Sequence, residues 1–210
     1  IRVHLPNMVG ATKIQEADRV DLLINGLSHA PRQSKNVGSL ELTRGFVEFV
    51  VDGKDFGFDG EKIITAVITD KAGNVSADRS SITFTQVTSV PGKPVVKEWG
   101  SSDLVDGWMN LAEATTPKTI RVVMGENESP YADRVELLLN GVPFAIEKSK
   151  RIEATDVINQ YVDFLVSRKD WGIDGDKTLS ARIVDHAGNY GVVSDAIRFK
   201  LKTSLVNQKK

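Results

Sequence analysis

The sequence predicts an all-β chain of two tandem β-sandwich domains. Three observations carry this: an internal repeat, apolar alternation with a period of two, and turn chemistry between the alternating segments. ADRVDLLING (17–26) returns as ADRVELLLNG (132–141), DFGFDGEK (55–62) as DWGIDGDK (170–177), and DKAGN (70–74) as DHAGN (185–189). All three pairs share one offset of 115 residues, without a gap from 17 to 89, and about 30 of 73 positions are identical. A period of this length is a whole small domain, not a solenoid turn.

Each predicted strand alternates. In KIITAVITD, Ile64, Ala66 and Ile68 form one face. Their partners Leu179, Ala181 and Ile183 stay apolar while the other face becomes Thr178, Ser180 and Arg182. One wet face is the mark of an antiparallel sheet. Val47, Phe49 and Val51 recur as Val162, Phe164 and Val166, with Glu48 and Asp163 pointing the other way. Val20, Leu22 and Ile24 recur as Val135, Leu137 and Leu139, and Ile82 and Phe84 as Ile197 and Phe199. All these apolar positions are expected inside, because a one-residue slip would expose each whole set. The aromatic pairs Phe56/Trp171 and Phe46/Tyr161, held in both copies, read as core plugs.

Asn25-Gly26 and Asn140-Gly141 each follow an apolar run and predict tight hairpins with positive φ at both turn residues. DKAGN and DHAGN read as a second hairpin turn. Little helix is expected, since no stretch sustains a 3.6-residue apolar period. Six or seven short strands per copy is the immunoglobulin-like count. The expected domains are residues 1–90 and 91–210, with VPGKP (90–94) as a short, stiff connection. The copies differ at their starts. IRV at 1–3 resembles IRV at 120–122, but the segment ahead of the second IRV has no visible counterpart ahead of the first. The opening strand of domain 1 is therefore expected to be incomplete or supplied by another segment.

Composition narrows the function. The net charge is −1 with basic residues scattered, so no field favours nucleic acid or an anionic membrane. There is no cysteine, which excludes disulfides and thiol chemistry and suits bacterial export. No apolar run approaches the ~20 residues of a membrane span. Ile1 opens directly into strand-like sequence without a signal peptide, as expected of a piece of a longer chain.

A strand ending in D-x-A-G-N, preceded by DG-E/D-K, resembles the bacterial immunoglobulin-like repeats of giant surface adhesins. DGWMNLAEA (106–114) is similar to the segment that opens such repeats in the RTX-type, type I-secreted adhesins, and LTRGFVEFVV (42–51) resembles their strand-opening segment. The resemblance implies an extracellular stalk of stacked sandwiches on the bacterial cell surface, often stiffened by Ca²⁺ at the junctions. A separate domain would grip the host or surface ligand. The balanced acidic and basic content departs from the more acidic, Thr-rich repeats of common members.

His4, His29 and His186 are not held in both copies, and no nucleophile elbow, H-E-x-x-H or phosphate loop occurs. The chain is expected not to be an enzyme. The carboxylates offer more. Asp55 and Asp59 precede a strand at the expected exit end of domain 1. Asp106, Glu113, Asp185 and Asn189 belong to the expected entry end of domain 2. Clustered carboxylates suit Ca²⁺, which takes 6–8 oxygen ligands in irregular geometry. The same residue types also make turns by bonding nearby backbone. Trp99 and Trp108, present in copy two only, read as junction packing or, alternatively, a sugar-stacking surface. The expected function is a non-catalytic spacer whose partners are neighbouring repeats of its own chain. The alternative is an ancillary or carbohydrate-binding region of a secreted carbohydrate-active enzyme.

Overall fold

The structure is a computed structural model that describes residues 1–6, 13–28, 34–76, 80–97, 106–125, 130–144 and 149–204. The chain divides into two compact units, Ile1–Gln86 and Val87–Lys210.

Unit 1 contains seven described strands: β1 (Arg2–His4), β2 (Arg19–Ile24), β3 (Leu27–Ser28), β4 (Ser34–Asn36), β5 (Phe46–Glu48), β6 (Gly60–Thr69) and β7 (Ser80–Gln86). One sheet is the pair β1-β5. The other runs β3-β2-β6-β7, with β4 on the far part of β2. All the pairings are antiparallel. The one α-helix among its described residues, α1 (Ser39–Arg44), leads into β5. Its last turn closes on Gly45, whose φ of 76° is open to glycine without strain.

Unit 2 repeats this plan and adds to it. Its strands are β8 (Val95–Lys97), β9 (Trp108–Asn110), β10 (Lys118–Val123), β11 (Ala132–Leu139), β12 (Val142–Pro143), β13 (Ser149–Arg151), β14 (Tyr161–Val166), β15 (Gly175–Asp185) and β16 (Ile197–Lys202). One sheet is β14-β10-β8. The second is β12-β11-β15-β16-β9, with β13 on β11. Helix α2 (Leu111–Thr115) links β9 to β10, and α3 (Ala154–Asn159) precedes β14. Opening strands split between the two sheets, with the last strand beside the early β9, give the immunoglobulin-like sandwich expected from the strand count.

The repeat holds at the level of strand register. Val20 faces Ile68, Leu22 faces Ala66 and Ile24 faces Ile64. Val135, Leu137 and Leu139 face Ile183, Ala181 and Leu179. Arg2 lies opposite Glu48 as Arg121 lies opposite Asp163, which equates the two IRV segments. Both Asn-Gly turns adopt positive φ at both residues: 52° and 76° in the first copy, 53° and 76° in the second. In each, the Asn side chain also accepts a backbone N–H from the adjacent strand, from Ile63 and from Thr178.

Most residues expected inside are buried, including Val47, Phe49, Val162, Phe164, Ala181 and Ile183. Ala66, Ile68, Phe84 and Ile197 are half-buried. Ile82 differs from expectation at 62% exposed. It lies on β7, the edge strand of its sheet among the described residues, and the opposing sheet there is only the pair of three-residue strands β1 and β5. Phe46 and Tyr161 also differ. They share the outer face with Glu48 and Asp163 and carry arginines instead of filling the core: Arg2 Cζ lies 4.9 Å from the Phe46 ring centre and Arg121 Cζ 3.5 Å from that of Tyr161. Phe56 and Trp171 do plug the core, edge-on to Phe84 and Phe199.

Residues 90–94, read from the sequence as the connection, lie in unit 2 and pack against it. Pro91 is buried, and a Cβ built on Gly191 would meet the Pro91 carbonyl oxygen at 2.7 Å. Lys93 Nζ bonds Asp195 Oδ1 at 2.8 Å, and Val87 O accepts from the Asn189 amide at 3.1 Å.

Candidate functional site

The acidic candidates sit where loops meet strand or helix ends, and the structure gives nearly all of them a local task. Asp185 closes β15 and is 1% exposed. Its Oδ1 accepts the Asn189 N–H at 2.8 Å and its Oδ2 the Asn189 side-chain amide at 2.8 Å. Asp70 repeats this with Asn74 and adds the Ala72 N–H at 2.9 Å. The Asn74 side chain, helped by backbone N–H groups, holds the Asp70 carboxyl below the usual carboxylate range. The D-x-A-G-N segment therefore works as an Asx-type turn with an amide-to-carboxylate lock.

Asp106 Oδ1 accepts the N–H of Trp108 at 2.9 Å. Glu113 and Asn110 form a reciprocal cap on α2: the Asn110 N–H donates to Glu113 Oε2 at 2.7 Å and the Glu113 N–H to Asn110 Oδ1 at 3.1 Å. Asp55 Oδ2 accepts the Asp52 N–H at 2.9 Å in the 3-10 turn before β6. Its counterpart Asp170 takes both N–H and O–H of Ser167 at 2.7 Å. Asp59 is half-buried ahead of β6 and is also engaged. Among the described residues, no group of three or more His, Asp and Glu side chains is gathered tightly enough to hold a metal ion. A carboxylate that accepts one or two N–H groups keeps lone pairs for a cation, so these residues remain chemically able to serve as ligands.

Two polar constellations were not read from the sequence. The first is Asp174, whose carboxylate takes the N–H and O–H of both Thr203 and Ser204 at 2.7–2.9 Å, pinning the end of β16 to the loop before β15. The Ser204 hydroxyl first, then the two N–H groups and the Thr203 hydroxyl, hold this carboxyl far below the usual range. The repeated Thr-Ser pair at 88–89 and 203–204 was the available signal. The second is an outer-face cluster present in both units. Arg2 binds Glu48 at 3.1 Å, and Lys35 Nζ donates to Glu48 O at 2.7 Å. Arg121 binds Asp163 through two bonds of 2.8 Å, and Lys150 Nζ donates to Asp163 O at 2.9 Å. Cross-strand pairing, invisible without the register, makes these clusters.

Of the other candidates, His186 Nδ1 lies 3.2 Å from Asp133 Oδ1 and His4 stacks obliquely near Phe46. Trp108 is 47% exposed beneath Lys200. His29 and Trp99 lie outside the described residues. No helix among the described residues is long and apolar enough to cross a membrane.

No protein-family model and no curated protein matches the chain. Solved structures do. One is described as a Ca²⁺-stabilized adhesin that helps an Antarctic bacterium bind ice, with 21% identity and a TM-score of 0.44 over 92% of this chain and 42% of that one. A 1.5-MDa bacterial ice-binding adhesin matches at 22% identity and TM-score 0.38, over 92% and 56%. The fibronectin(III)-like modules of Clostridium thermocellum CbhA match at 14% identity and TM-score 0.48, over 96% and 86%. The chain thus spans about half the length of the two adhesin structures it resembles.

Proposed function

We propose that the chain is a pair of non-catalytic immunoglobulin-like spacer modules from a bacterial adhesin, exposed at the cell surface or secreted. The observation that carries this is the way the two copies spend their shared polar residues. Asp70/Asp185, Asn74/Asn189, Asn25/Asn140, Asp55/Asp170 and the Arg2/Arg121 clusters all lock turns or strands. A repeat that preserves scaffold bonds preserves shape, which is what a spacer supplies. The resemblance of DGWMNLAEA to adhesin repeat openings points the same way. Antibody against the chain should label intact cells of the source organism, and surface proteolysis should remove the label. Labelling confined to lysed cells would sink the reading.

Ca²⁺ stiffening belongs to the same proposal, with Asp106, Glu113, Asp185, Asn189, Asp55 and Asp59 as the ligands the sequence nominates. Extracellular modules bind Ca²⁺ at roughly 10⁻⁴–10⁻³ M. Calorimetric titration with Ca²⁺ should therefore show binding in the submillimolar to millimolar range, lost in Asp106→Ala/Glu113→Ala. Heat-free titration and identical small-angle scattering in chelator and in millimolar Ca²⁺ would leave these residues as turn formers alone.

A further inference from the structure

The smaller sheet of each unit ends on the same strand of the repeat, β5 in unit 1 and β14 in unit 2. The edge in question is the outer side of β5 and β14, away from β1 and β10, and no described strand pairs with it in either unit. Strand β14 reads YVDFLV, and FVEFVV (46–51) begins with β5. Six-residue segments of high β-propensity and low net charge, without proline or glycine, are the ones that recruit further strands when an edge exposes them.

The register shows which groups this edge presents. Ile1 and Phe49 exchange both backbone bonds at 2.7 Å, and Leu5 N–H donates to Gly45 O at 2.8 Å. In an antiparallel ladder such pairs alternate with pairs whose N–H and C=O point the other way. Arg2 and Glu48 are a pair of the second kind. In unit 2, Met124 N–H donates to Gln160 O at 2.8 Å, which puts Arg121 and Asp163 in the same class. The carbonyls of Glu48 and Asp163 are therefore directed out of the sheet. Each is met by one lysine: Lys35 Nζ donates to Glu48 O at 2.7 Å and Lys150 Nζ to Asp163 O at 2.9 Å. Both lysines come from the opposite sheet, on β4 and β13, which pair with β2 and β11. Both are exposed, and they share the repeat offset of 115 residues. The ammonium thus stands where an incoming strand would bring its N–H, and it leaves a positive charge on the edge.

We infer that Lys35 and Lys150 are edge guards: each denies the outer edge of β5 or β14 to the same edge of a second copy of the module. The excluded partner is a second copy because the edge is self-complementary. Two β14 strands paired antiparallel about Asp163 would set the same N–H and C=O groups opposite one another, the isologous contact of a two-fold dimer. That pairing would also bring two Lys150 ammonium groups face to face, and like charges directly opposite are destabilising. Linked modules need such a guard, since a short flexible linker holds their edges at an effective concentration of the order of millimolar. The inference does not depend on the adhesin reading.

The test uses the whole 210-residue chain. Lys35→Met with Lys150→Met keeps the apolar stems and removes both ammonium groups. Sedimentation is followed from micromolar to roughly millimolar chain, the range that linkage itself imposes. The parent and the Lys35→Arg/Lys150→Arg chain should stay monomeric. The Met chain should associate reversibly, and amide exchange at Glu48 and Asp163 should slow about tenfold or more as it does. Adding Val50→Lys and Leu165→Lys, at exposed positions two residues further along the same segments, returns charge to the edge and should restore the monomer. A Met chain that stays monomeric overturns the inference and leaves the lysines as staples between the sheets. Association that survives Val50→Lys/Leu165→Lys also overturns it, since the contact would then lie elsewhere. So does a parent that is already dimeric with the Glu48 and Asp163 amides protected.

Discussion

Strands β7 and β16 hold the same place in the same register, yet Phe84 is half-exposed where Phe199 is buried, and Ile82 stands in solvent where Ile197 is half-covered. Register is the same in both units; enclosure, among the described residues, differs. The buried core of unit 2 gathers seventeen of its described residues around Trp171, and that of unit 1 only seven around Phe49. In unit 2 the third strand of the smaller sheet and the plug from β9 and α2 complete the enclosure.

The largest effect expected from this contrast is at the paired core phenylalanines. Phe164→Ala should cost unit 2 about 3–5 kcal/mol by cavity formation and leave it folded. Phe49→Ala removes the same side chain from a much smaller core and should abolish the unit 1 transition. Scanning calorimetry of the two variants checks this. A Phe49→Ala chain that keeps two resolved transitions would show that unit 1 is better enclosed than its burial indicates.

The next effect separates Gly191 from Ser76. Gly191→Ala forces a Cβ against the Pro91 backbone and should cost unit 2 about 1–3 kcal/mol by overpacking. Ser76→Ala loses one part-buried hydrogen bond and should cost unit 1 about 0.5–1.5 kcal/mol. Equal losses in denaturant melts would mean that the 87–94 segment does not hold to unit 2 as tightly as the Pro91 contact implies.

Much of this was legible in the sequence because the second copy decodes the first. The inward face of β6 is ambiguous in KIITAVITD alone and becomes plain once Thr178, Ser180 and Arg182 replace one of its faces. The Asn-Gly turns announced their own φ values. What stayed hidden depended on pairing across the chain. Phe46 and Tyr161 look like core aromatics until the register puts Arg2 and Arg121 beside them. Asp174 looks like a turn former until the end of β16 arrives with Thr203 and Ser204. Ile82 alternates correctly and points inward, but alternation cannot say whether a facing strand exists. Of the nominated ligands, Asp106 lies in a turn, Glu113 in helix α2 and Asp185 at the end of β15; their local bonds follow from local spacing, whereas any shared cation cannot be read from spacing at all.

The Asp174 clamp predicts an acid response in unit 2 larger than the one Asp70 gives unit 1. Its folded pKa is depressed, so its stabilisation is fully present above the unfolded value of ~3.9 and fades as pH falls below that. Melting midpoints taken from pH 5 downward should fall for unit 2, and Asp174→Asn should flatten that fall while lowering the midpoint at pH 7. A variant whose acid profile matches the parent would assign the response to other carboxylates.

The smallest effect concerns the outer-face arginines, and it isolates geometry from composition. Both pairs join an arginine to a carboxylate across the same register with an aromatic ring beneath. Arg121 meets Asp163 through two bonds of 2.8 Å and lies 3.5 Å from the Tyr161 ring centre; Arg2 meets Glu48 through one bond of 3.1 Å and lies 4.9 Å from that of Phe46. The tighter pair holds the Asp163 carboxyl below its ordinary range, chiefly through the Arg121 side-chain bond. Exposed ion pairs contribute little, and a planar two-bond contact is the form in which they contribute most. A double-mutant cycle of Arg121→Ala with Asp163→Ala should therefore give a larger coupling than one of Arg2→Ala with Glu48→Ala. Both should shrink as salt rises towards ~1 M, where the screening length falls to about 3 Å. If the unit 1 pair couples as strongly as the unit 2 pair, the third strand β8 beside Arg121 adds nothing to its order, and enclosure governs the two cores without reaching their outer faces.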